Sequence, residues 1–160
     1  MDDGAWRELA DRFDITDVIN RYAVGVRTGD SQLLASLFSD DAHLDYGFAQ
    51  VDGLEDIGRF FAGTLTSVES NRRNAIALDQ KVVSTPVMSN VMIDLHEDTA
   101  HVESMCLAIH AGARGDAGIV IVRGTQNVDD FVRTDQGWKI RRREHIHLWT
   151  YEAPGSAGGH

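Results

Sequence analysis

Residues 119–151 read IVIVRGTQNVDDFVRTDQGWKIRRREHIHLWTY, and this stretch decides the fold. Two runs rich in β-branched and aromatic residues, 119–133 and 138–151, flank the turn-forming residues Asp135, Gln136 and Gly137. The pattern predicts a hairpin of two antiparallel strands, each much longer than the roughly five or six residues of a typical strand. Long strands twist and coil, so the sheet is expected to be strongly curved, with one concave face.

Two further strands are predicted immediately upstream of this hairpin. Residues 82–95 and 100–111 have the same β-branched and apolar character, and they are separated by His96, Glu97 and Asp98. The glycine-containing segment 112–118 then leads into the hairpin. The second half of the chain is therefore expected to be a sheet of long, mostly antiparallel strands.

The first half is expected to be mainly helical. From Ile15 to Val26, apolar residues recur three and four positions apart, which is the spacing of an amphipathic helix. Asp30 is predicted to cap a short second helix, Ser39 to Asp41 to interrupt the chain, and residues 42–48 to form a strand. A third helix is expected after Gly53. The fold class is thus α+β, with N-terminal helices that close one end of the curved sheet.

Length and composition predict one soluble domain. The 160 residues, with 42% hydrophobic and 25% charged residues, favour a single domain over 1–152 and a flexible tail over 153–160. The net charge of −10 argues against nucleic-acid and anionic-membrane partners. The single cysteine excludes an intrachain disulfide, and no apolar run approaches the roughly 20 residues of a membrane span. The first 14 residues are charged and lack a signal peptide's apolar stretch, so a cytoplasmic location is predicted.

An ordered set of short motifs resembles a known family. The set begins with Tyr22-Ala23 and Gly29-Asp30, and it continues with Asp40-Asp41-Ala42, Asp45-Tyr46-Gly47, 87–91, His110 and Gly137-Trp138. It is similar to the SnoaL-like branch of the NTF2-like superfamily, which includes scytalone dehydratase and lindane dehydrochlorinase. The resemblance implies a cone-shaped fold, in which a curved mixed sheet and the helices enclose a deep pocket. It also implies a cofactor-free and metal-free site, and homodimers or larger homo-oligomers that form through the outer face of the sheet.

The resemblance also predicts that the usual catalytic dyad is missing. Dehydratase-type members pair an Asp late in the first helix with a His before the strand that opens the sheet. These positions correspond to Arg27 and Pro86 in this chain. Arginine stays protonated and proline has no side-chain proton acceptor, so standard His-Asp chemistry is not expected. A shift of one helical turn would instead place Asp30 at the first position and restore an acid–base role there.

Other positions match the pattern of the resembling family. The resemblance places an oxygen-polarising tyrosine at Tyr46, a second pocket histidine at His110 and a pocket asparagine at Asn127. Tyrosine and asparagine can donate to an enolate-like oxygen, and histidine titrates near neutral pH. These three are the predicted catalytic residues. The predicted substrate-binding residues are Tyr22, Arg27, Asp30, Phe60, Phe61, Met88, Met105, Thr125, His145 and Trp149.

Several of these positions keep a structural alternative at the sequence level. Asp30 fits a helix cap better than a catalyst, and Arg27 fits an anion-binding residue and a structural ion pair equally well. His145 and His147 share one strand face and could chelate a metal with His110, although no carboxylate of matching spacing accompanies them. The run 141–143, three arginines, is expected to be solvated or salt-bridged.

The functional prediction is a cofactor-independent enzyme of small-molecule metabolism. It would carry out dehydration, isomerisation or cyclisation of an apolar polyketide-, terpenoid- or steroid-like molecule, with Tyr46 and Asn127 on the oxygen and His110 moving the proton. The competing prediction is a non-catalytic ligand-binding protein, or a structural subunit similar to the β subunit of ring-hydroxylating dioxygenases. The missing dyad favours this second interpretation.

Overall fold

The computed structural model describes residues 3–65, 83–114 and 116–155. The elements are, in chain order, α1 (Asp3–Thr28), α2 (Ser31–Ser36), β1 (Phe38–Asp45), β2 (Gln50–Asp52), α3 (Leu54–Leu65), β3 (Val83–His96), β4 (Thr99–Arg114), β5 (Ala117–Thr134) and β6 (Gly137–Pro154). The predicted α+β class, with helices first and long strands after them, is confirmed. None of the described helices has the length and apolar character needed to cross a membrane.

The strands form one mixed, mostly antiparallel sheet that does not close. Their order is β2-β1-β6-β5-β4-β3, and β1 is parallel to β6 while all other neighbours are antiparallel. The chain therefore brings its first strand beside its last. This places the end of β1, near Tyr46, next to the middle of β6.

The core lies between the helices and one face of the sheet, which we call the inner face. On α1, Ile15, Ile19 and Tyr22 are buried at the spacing predicted for an amphipathic helix. They belong to a single apolar cluster with sheet residues such as Phe131 and Ile140. The helical layer therefore covers the inner face and shields from water the polar side chains that project from it.

The structure differs from the sequence prediction at the start of β1, at β2 and at the C-terminal tail. β1 begins at Phe38 and runs through Ser39 to Asp41, because Phe38 pairs with Ile140 and a bulge accommodates the polar residues that follow. β2 was not predicted from the sequence. Residues 153 and 154, which were predicted to start a flexible tail, belong to β6, because Ala153 pairs with Val120 and Pro154 with Ile119 of β5. The last predicted tail residues, 156–160, lie outside the described part of the chain.

Close packing of α1 on α2 predicts a size limit at Gly25. A Cβ atom at this position would lie 2.7 Å from Cγ of Leu34, which is fully buried. We expect Gly25→Ala to lower the free energy of unfolding by about 1–3 kcal/mol, because overpacking displaces the buried leucine. The control Gly58→Ala, in α3, meets only an ordinary 3.6 Å contact with Ala35. It should be stabilising by about 0.5–1 kcal/mol through helix propensity. Urea denaturation of both variants tests this, and equal effects would contradict it.

Candidate active site

Alternation along the strands sends a set of polar residues to the inner face. On β4, Val102, Ser104 and Cys106 are buried while the residues between them are more exposed. Register carries this pattern across the sheet, since Ser104 lies opposite Asn127, which lies opposite His145. The next row, Val102, Asp129 and Arg143, is completely buried. The interior of the fold therefore contains two adjacent rows with polar side chains.

Asp129 and Arg143 form an ion pair with no solvent exposure on either side chain. Arg143 Nε donates to one carboxylate oxygen at 2.7 Å, and its Nη2 donates to the other at 2.6 Å. Burial lowers the pKa of Arg143, but the Asp129 charge outweighs it and the net shift is upward. A bidentate pair of this kind holds the guanidinium in one orientation.

Tyr22 of α1 lies directly against this guanidinium. Its ring centre is 4.0 Å from Cζ of Arg143, which is a cation–π contact. Burial raises the pKa of Tyr22, and the positive charge of Arg143 opposes that rise. Among the described residues, Tyr22 Oη and Arg143 Nη1 are both buried without a hydrogen-bond partner. The Tyr22 hydroxyl interacts with the side chains of Arg143 and Tyr46, so these three groups form one polar cluster in a water-excluded place.

His145 and Tyr46 form a second part of the same cluster. The two rings are stacked, with centroids 4.3 Å apart and planes 7° from parallel. His145 Nδ1 lies 2.7 Å from Oδ1 of Asn127. Because an amide oxygen only accepts, Nδ1 carries the proton and Nε2 of the neutral ring keeps its lone pair. Burial and the charge of Arg143, followed by that of Arg123, lower the pKa of His145 to about 3, so the ring is neutral at pH 7.

Burial keeps the phenol of Tyr46 protonated as well. Desolvation raises the pKa of Tyr46 well above its ordinary value, and the nearby phenol of Tyr22 adds to the rise. Aromatic rings surround the group, since Tyr46 contacts Phe48 and Phe60, and Phe60 contacts Phe61. Tyr46 therefore presents a neutral hydroxyl donor from an apolar wall, a setting in which hydrogen bonds are strong.

His110 lies on the inner face of β4, opposite Ile121 of β5. Burial, together with the positive charge of Arg123, lowers the pKa of His110 from 6.5 to about 4. Like His145, it is a neutral imidazole at pH 7. The same arginine affects His110, His145 and Tyr46, so these groups share one electrostatic environment.

These two histidines should make the protein less stable in mild acid. Their pKa values of about 4 and about 3 are below the ordinary 6.5, so the unfolded chain binds more protons. Stability is therefore complete above about pH 6.5 and falls towards pH 4, with a slope of up to about 1.4 kcal/mol per pH unit for each histidine. Asp11 does not contribute in this window, because its lowered pKa matters only below its ordinary value of 3.8.

Urea denaturation between pH 7 and pH 4.5 measures this slope. We expect His110→Asn to reduce it by about half. The matched control His96→Asn, at an exposed position, should leave it unchanged. A wild-type stability that stays constant from pH 7 to pH 5 would contradict the assignment.

The structure brings most predicted site residues together. His145 contacts both Tyr46 and Asn127, and Tyr46 in turn interacts with Tyr22. Thr125 is also buried on this face, and its hydroxyl lies 3.5 Å from the carbonyl oxygen of Cys106. The remaining predicted residues on the inner side are Phe60, Phe61, Met88 and His110. Asn127 is engaged with His145, so in this structure it positions an imidazole.

Four predicted residues lie away from this cluster. Arg27 is exposed in the last turn of α1, and Asp30 caps α2 by accepting from Leu33 N at 2.8 Å, as the cap interpretation predicted. Met105 projects to the outer face because it alternates with the buried Ser104 and Cys106. Trp149 also lies on that face, where its ring covers Gly124.

Sequence reasoning missed two residues of the cluster, Asp129 and Arg123. Both alternate with Thr125 and Asn127 along β5, so the two-residue period of the strand was a usable signal. Arg143 was expected to be solvated or salt-bridged within a run of three arginines, and in the structure it forms the buried ion pair with Asp129. Among the described residues, no three His, Cys, Asp or Glu side chains are grouped as metal ligands.

Comparison with known proteins agrees with this architecture. The family model described as the SnoaL-like domain matches residues 7–144. No curated protein matches the sequence. The chain is similar in structure to a putative scytalone dehydratase from Novosphingobium aromaticivorans DSM 12444, with a TM-score of 0.70 and 23% identity over 96% of this chain and 97% of that chain.

Two further solved structures show the same fold. A type 2 hexachlorocyclohexane dehydrochlorinase, LinA, has a TM-score of 0.69 and 19% identity over 94% of this chain and 92% of that chain. An NTF2-like protein with a cystatin-like fold, from Novosphingobium aromaticivorans, has a TM-score of 0.68 and 24% identity over 91% and 86%. The predicted NTF2-like fold is confirmed, and the chain belongs to the SnoaL-like domain family.

Proposed function

We propose that this protein is a cofactor-independent enzyme that moves a proton on an apolar small molecule bearing a carbonyl or hydroxyl oxygen. The SnoaL-like and NTF2-like families include cofactor-independent isomerases and dehydratases. Dehydration, isomerisation and aldol-type cyclisation can each proceed through removal of a proton from the carbon next to a carbonyl. Polyketide-, terpenoid- and steroid-like compounds are the proposed substrate class.

One observation carries the proposal, namely the stacked pair of His145 and Tyr46 beside the buried side chains of Tyr22 and Arg143. The imidazole has a free lone pair at Nε2, since its Nδ1 proton is held by Asn127. The phenol of Tyr46 is a neutral hydrogen-bond donor among aromatic rings. A base beside fixed oxygen-binding donors is the arrangement that stabilises an enolate.

The proposed proton transfer needs no cofactor. Nε2 of an imidazole takes a proton from the carbon next to the carbonyl, and the electrons of that C–H bond form an enolate. The Tyr46 hydroxyl stabilises the negative charge on its oxygen. Return of the proton to another carbon gives an isomer, whereas departure of a β-substituent gives an elimination product. His145 is the imidazole in contact with Tyr46, and His110 is the second neutral imidazole on the inner face.

Hydrogen–deuterium exchange at carbon tests the proposal directly. A panel of polycyclic ketones is incubated with the protein in D₂O at pH 7, and loss of the α-proton signal is followed by NMR. We expect exchange to be faster than in buffer for at least one ketone, and to fall in His145→Gln. The control His96→Gln, at an exposed position, should exchange at the wild-type rate. Ketones that neither bind nor exchange would contradict the proposal.

A non-catalytic ligand-binding protein is the second candidate. The observation that favours it is the absence of the usual dyad, because Arg27 is exposed and the other position is Pro86, paired with Ala108 in the sheet. The same NMR experiment separates the two functions. Ligand-induced shifts without any exchange, for every ketone that binds, would select the binding protein.

We also propose that two copies of the chain associate through the outer face of the sheet. A row of half-exposed apolar side chains, Val87, Leu107 and Trp149, crosses β3, β4 and β6 on that face. Burial of such a row against an identical one would remove apolar area from water. Light scattering should give a dimer or larger oligomer, and Leu107→Lys should shift it towards the monomer. A monomeric wild-type protein would contradict this proposal.

A further inference from the structure

The hydrogen-bond partner of the His145 imidazole is an amide and not a carboxylate. Nδ1 of His145 lies 2.7 Å from Oδ1 of Asn127, which is buried. The nearby carboxylate of Asp129, two residues further along the same face of β5, is held through both of its oxygens by Arg143. A carboxylate at Nδ1 would stabilise the imidazolium, whereas an amide oxygen carries no charge. The hydrogen bond at Nδ1 therefore gives His145 no counter-charge.

The neighbouring arginines also oppose protonation of this imidazole. Arg143 precedes His145 by two residues on β6, so both side chains lie on the inner face, and Arg123 lies on the same face of β5. Burial, followed by the charges of Arg143 and Arg123, lowers the pKa of His145 to about 3. The amide partner and the surrounding charges act in the same direction. The fold therefore makes His145 a weak base.

A weak base limits the kind of C–H bond that can react. A general base removes a proton more slowly as its pKa falls, so a weak base needs a C–H bond that is itself acidic. A C–H bond next to one carbonyl and no other activating group is only weakly acidic. An aryl ring or a second carbonyl on the same carbon spreads the negative charge of the carbanion further. Such doubly activated C–H bonds match the base that this site provides.

The aromatic surface next to His145 suits a conjugated substrate. His145 and Tyr46 each keep part of their surface exposed, and Phe48 is 52% exposed. Phe48 and Phe60 both contact the ring of Tyr46. Aromatic rings attract one another in stacked and edge-to-face arrangements. An aryl ring conjugated with the reacting carbon would pack on these rings, beside the imidazole.

We infer that the site acts on doubly activated carbon acids, in which the reacting C–H bond lies between a carbonyl and an aryl ring or a second carbonyl. The inference rests on the proposed function, since it names the substrate class of the same site. Nε2 of His145 takes the proton, and the electrons of the C–H bond form an enolate that is conjugated with the second group. The Tyr46 hydroxyl donates to the enolate oxygen. Return of a proton to carbon completes the exchange.

Two isomeric ketones of nearly the same shape test this inference. The exchanging C–H bond of 2-indanone lies between the carbonyl and the benzene ring, whereas that of 1-indanone is next to the carbonyl only. Proton transfer to a weak base is more uphill than transfer to hydroxide, so its rate depends more strongly on the acidity of the C–H bond. In D₂O at pH 7, we expect the protein to accelerate exchange over buffer at least about tenfold more for 2-indanone than for 1-indanone. Equal acceleration of the two, or greater acceleration of 1-indanone, would overturn the inference.

Asn127→Asp tests whether the partner of His145 sets its strength as a base. A carboxylate at Nδ1 should raise the pKa of His145 from about 3 to between about 4 and 6, which NMR titration of the imidazole measures. The stronger base is still unprotonated at pH 7, so exchange of 2-indanone should become about three- to thirtyfold faster. Asn20→Asp adds the same charge at an exposed position of α1 and should change neither quantity.

Thermal unfolding confirms that both variants are folded, and the comparison of the two indanones on the wild-type protein does not depend on them. An unchanged titration of His145 in Asn127→Asp would overturn the role of the amide. A raised pKa without faster exchange would overturn the role of His145 as the base.

The outcome remains separable from that of the proposed function. If ketones activated by the carbonyl alone exchange as readily as 2-indanone, the substrate class is wrong and the proposed function stands. If no ketone exchanges on the protein, 2-indanone included, the proposed function fails and the inference fails with it.

Discussion

Asp129→Asn is expected to lower the free energy of unfolding by about 3–5 kcal/mol, because it leaves a buried arginine without its counter-charge. Neither side chain of the Asp129–Arg143 pair has any solvent exposure, and the two hydrogen bonds between them are both short. The amide can accept one of these hydrogen bonds but carries no negative charge. Water cannot reach the guanidinium to replace the lost interaction. Urea denaturation at pH 7 measures the loss.

Two controls distinguish this effect from a general sensitivity to lost carboxylates. Glu55→Gln removes the charge from an exposed ion pair with Arg59 on α3, and it should change stability by less than about 1 kcal/mol. The double variant Asp129→Leu with Arg143→Met removes both charges together, and it should be more stable than Asp129→Asn. A loss below about 1 kcal/mol in Asp129→Asn would mean that the buried pair is not the anchor of this interior.

Tyr46→Phe is expected to lower the rate of α-proton exchange by about 10²–10³-fold, the usual effect of removing one donor to a developing oxyanion. The substitution keeps the ring, and with it the stack on His145 and the contact with Phe60. Only the hydroxyl is lost, so binding of the ketone should change much less than turnover. The measurement is the NMR exchange rate against ketone concentration, which separates kcat from KM.

The control for this prediction is Tyr151→Phe, at an exposed position. It should exchange ketone protons at the wild-type rate. If Tyr46→Phe keeps the wild-type rate as well, Tyr46 does not bind the reacting oxygen. An equal fall in affinity and in rate would instead indicate a packing role for the hydroxyl.

The four long strands, and the end of the first helix, could be predicted from the sequence to within a few residues, whereas that helix begins at Asp3, well before the amphipathic spacing starts at Ile15. Their patterns are local, since alternation, β-branched residues and turn residues all act over short distances. The short β2 was not predictable, because residues 50–52 form a strand only through their pairing with His43, Leu44 and Asp45 of β1. β1 was predicted to begin at residue 42 rather than at Phe38. Its first residues include the polar run 39–41, which forms a strand only because Phe38 pairs with Ile140 of β6.

The candidate site, too, could be predicted only in part. The side chains of Tyr46, His110 and Asn127 were identified as chemically able to polarise an oxygen or to move a proton, since those properties belong to the residue types. Their protonation states were not predictable. Burial and the charges of Arg143 and Arg123 lower the pKa of His145 to about 3. Burial and the charge of Arg123 lower the pKa of His110 to about 4. Those surroundings exist only in the folded chain.

The sequence by itself determined the four long strands and the helices, the mixed polar and apolar faces of the strands, and the residue types available to the interior. Tertiary structure decided which arginine faces inward. Trp138 and Ile140 are buried, so simple alternation along β6 would bury Arg142 next. A bulge between the Asp130–Arg142 and Phe131–Ile140 pairs shifts the register by one residue, so Arg143 faces Asp129 instead. A one-residue shift reverses the face of every later side chain, and only the pairing with β5 fixes where it occurs.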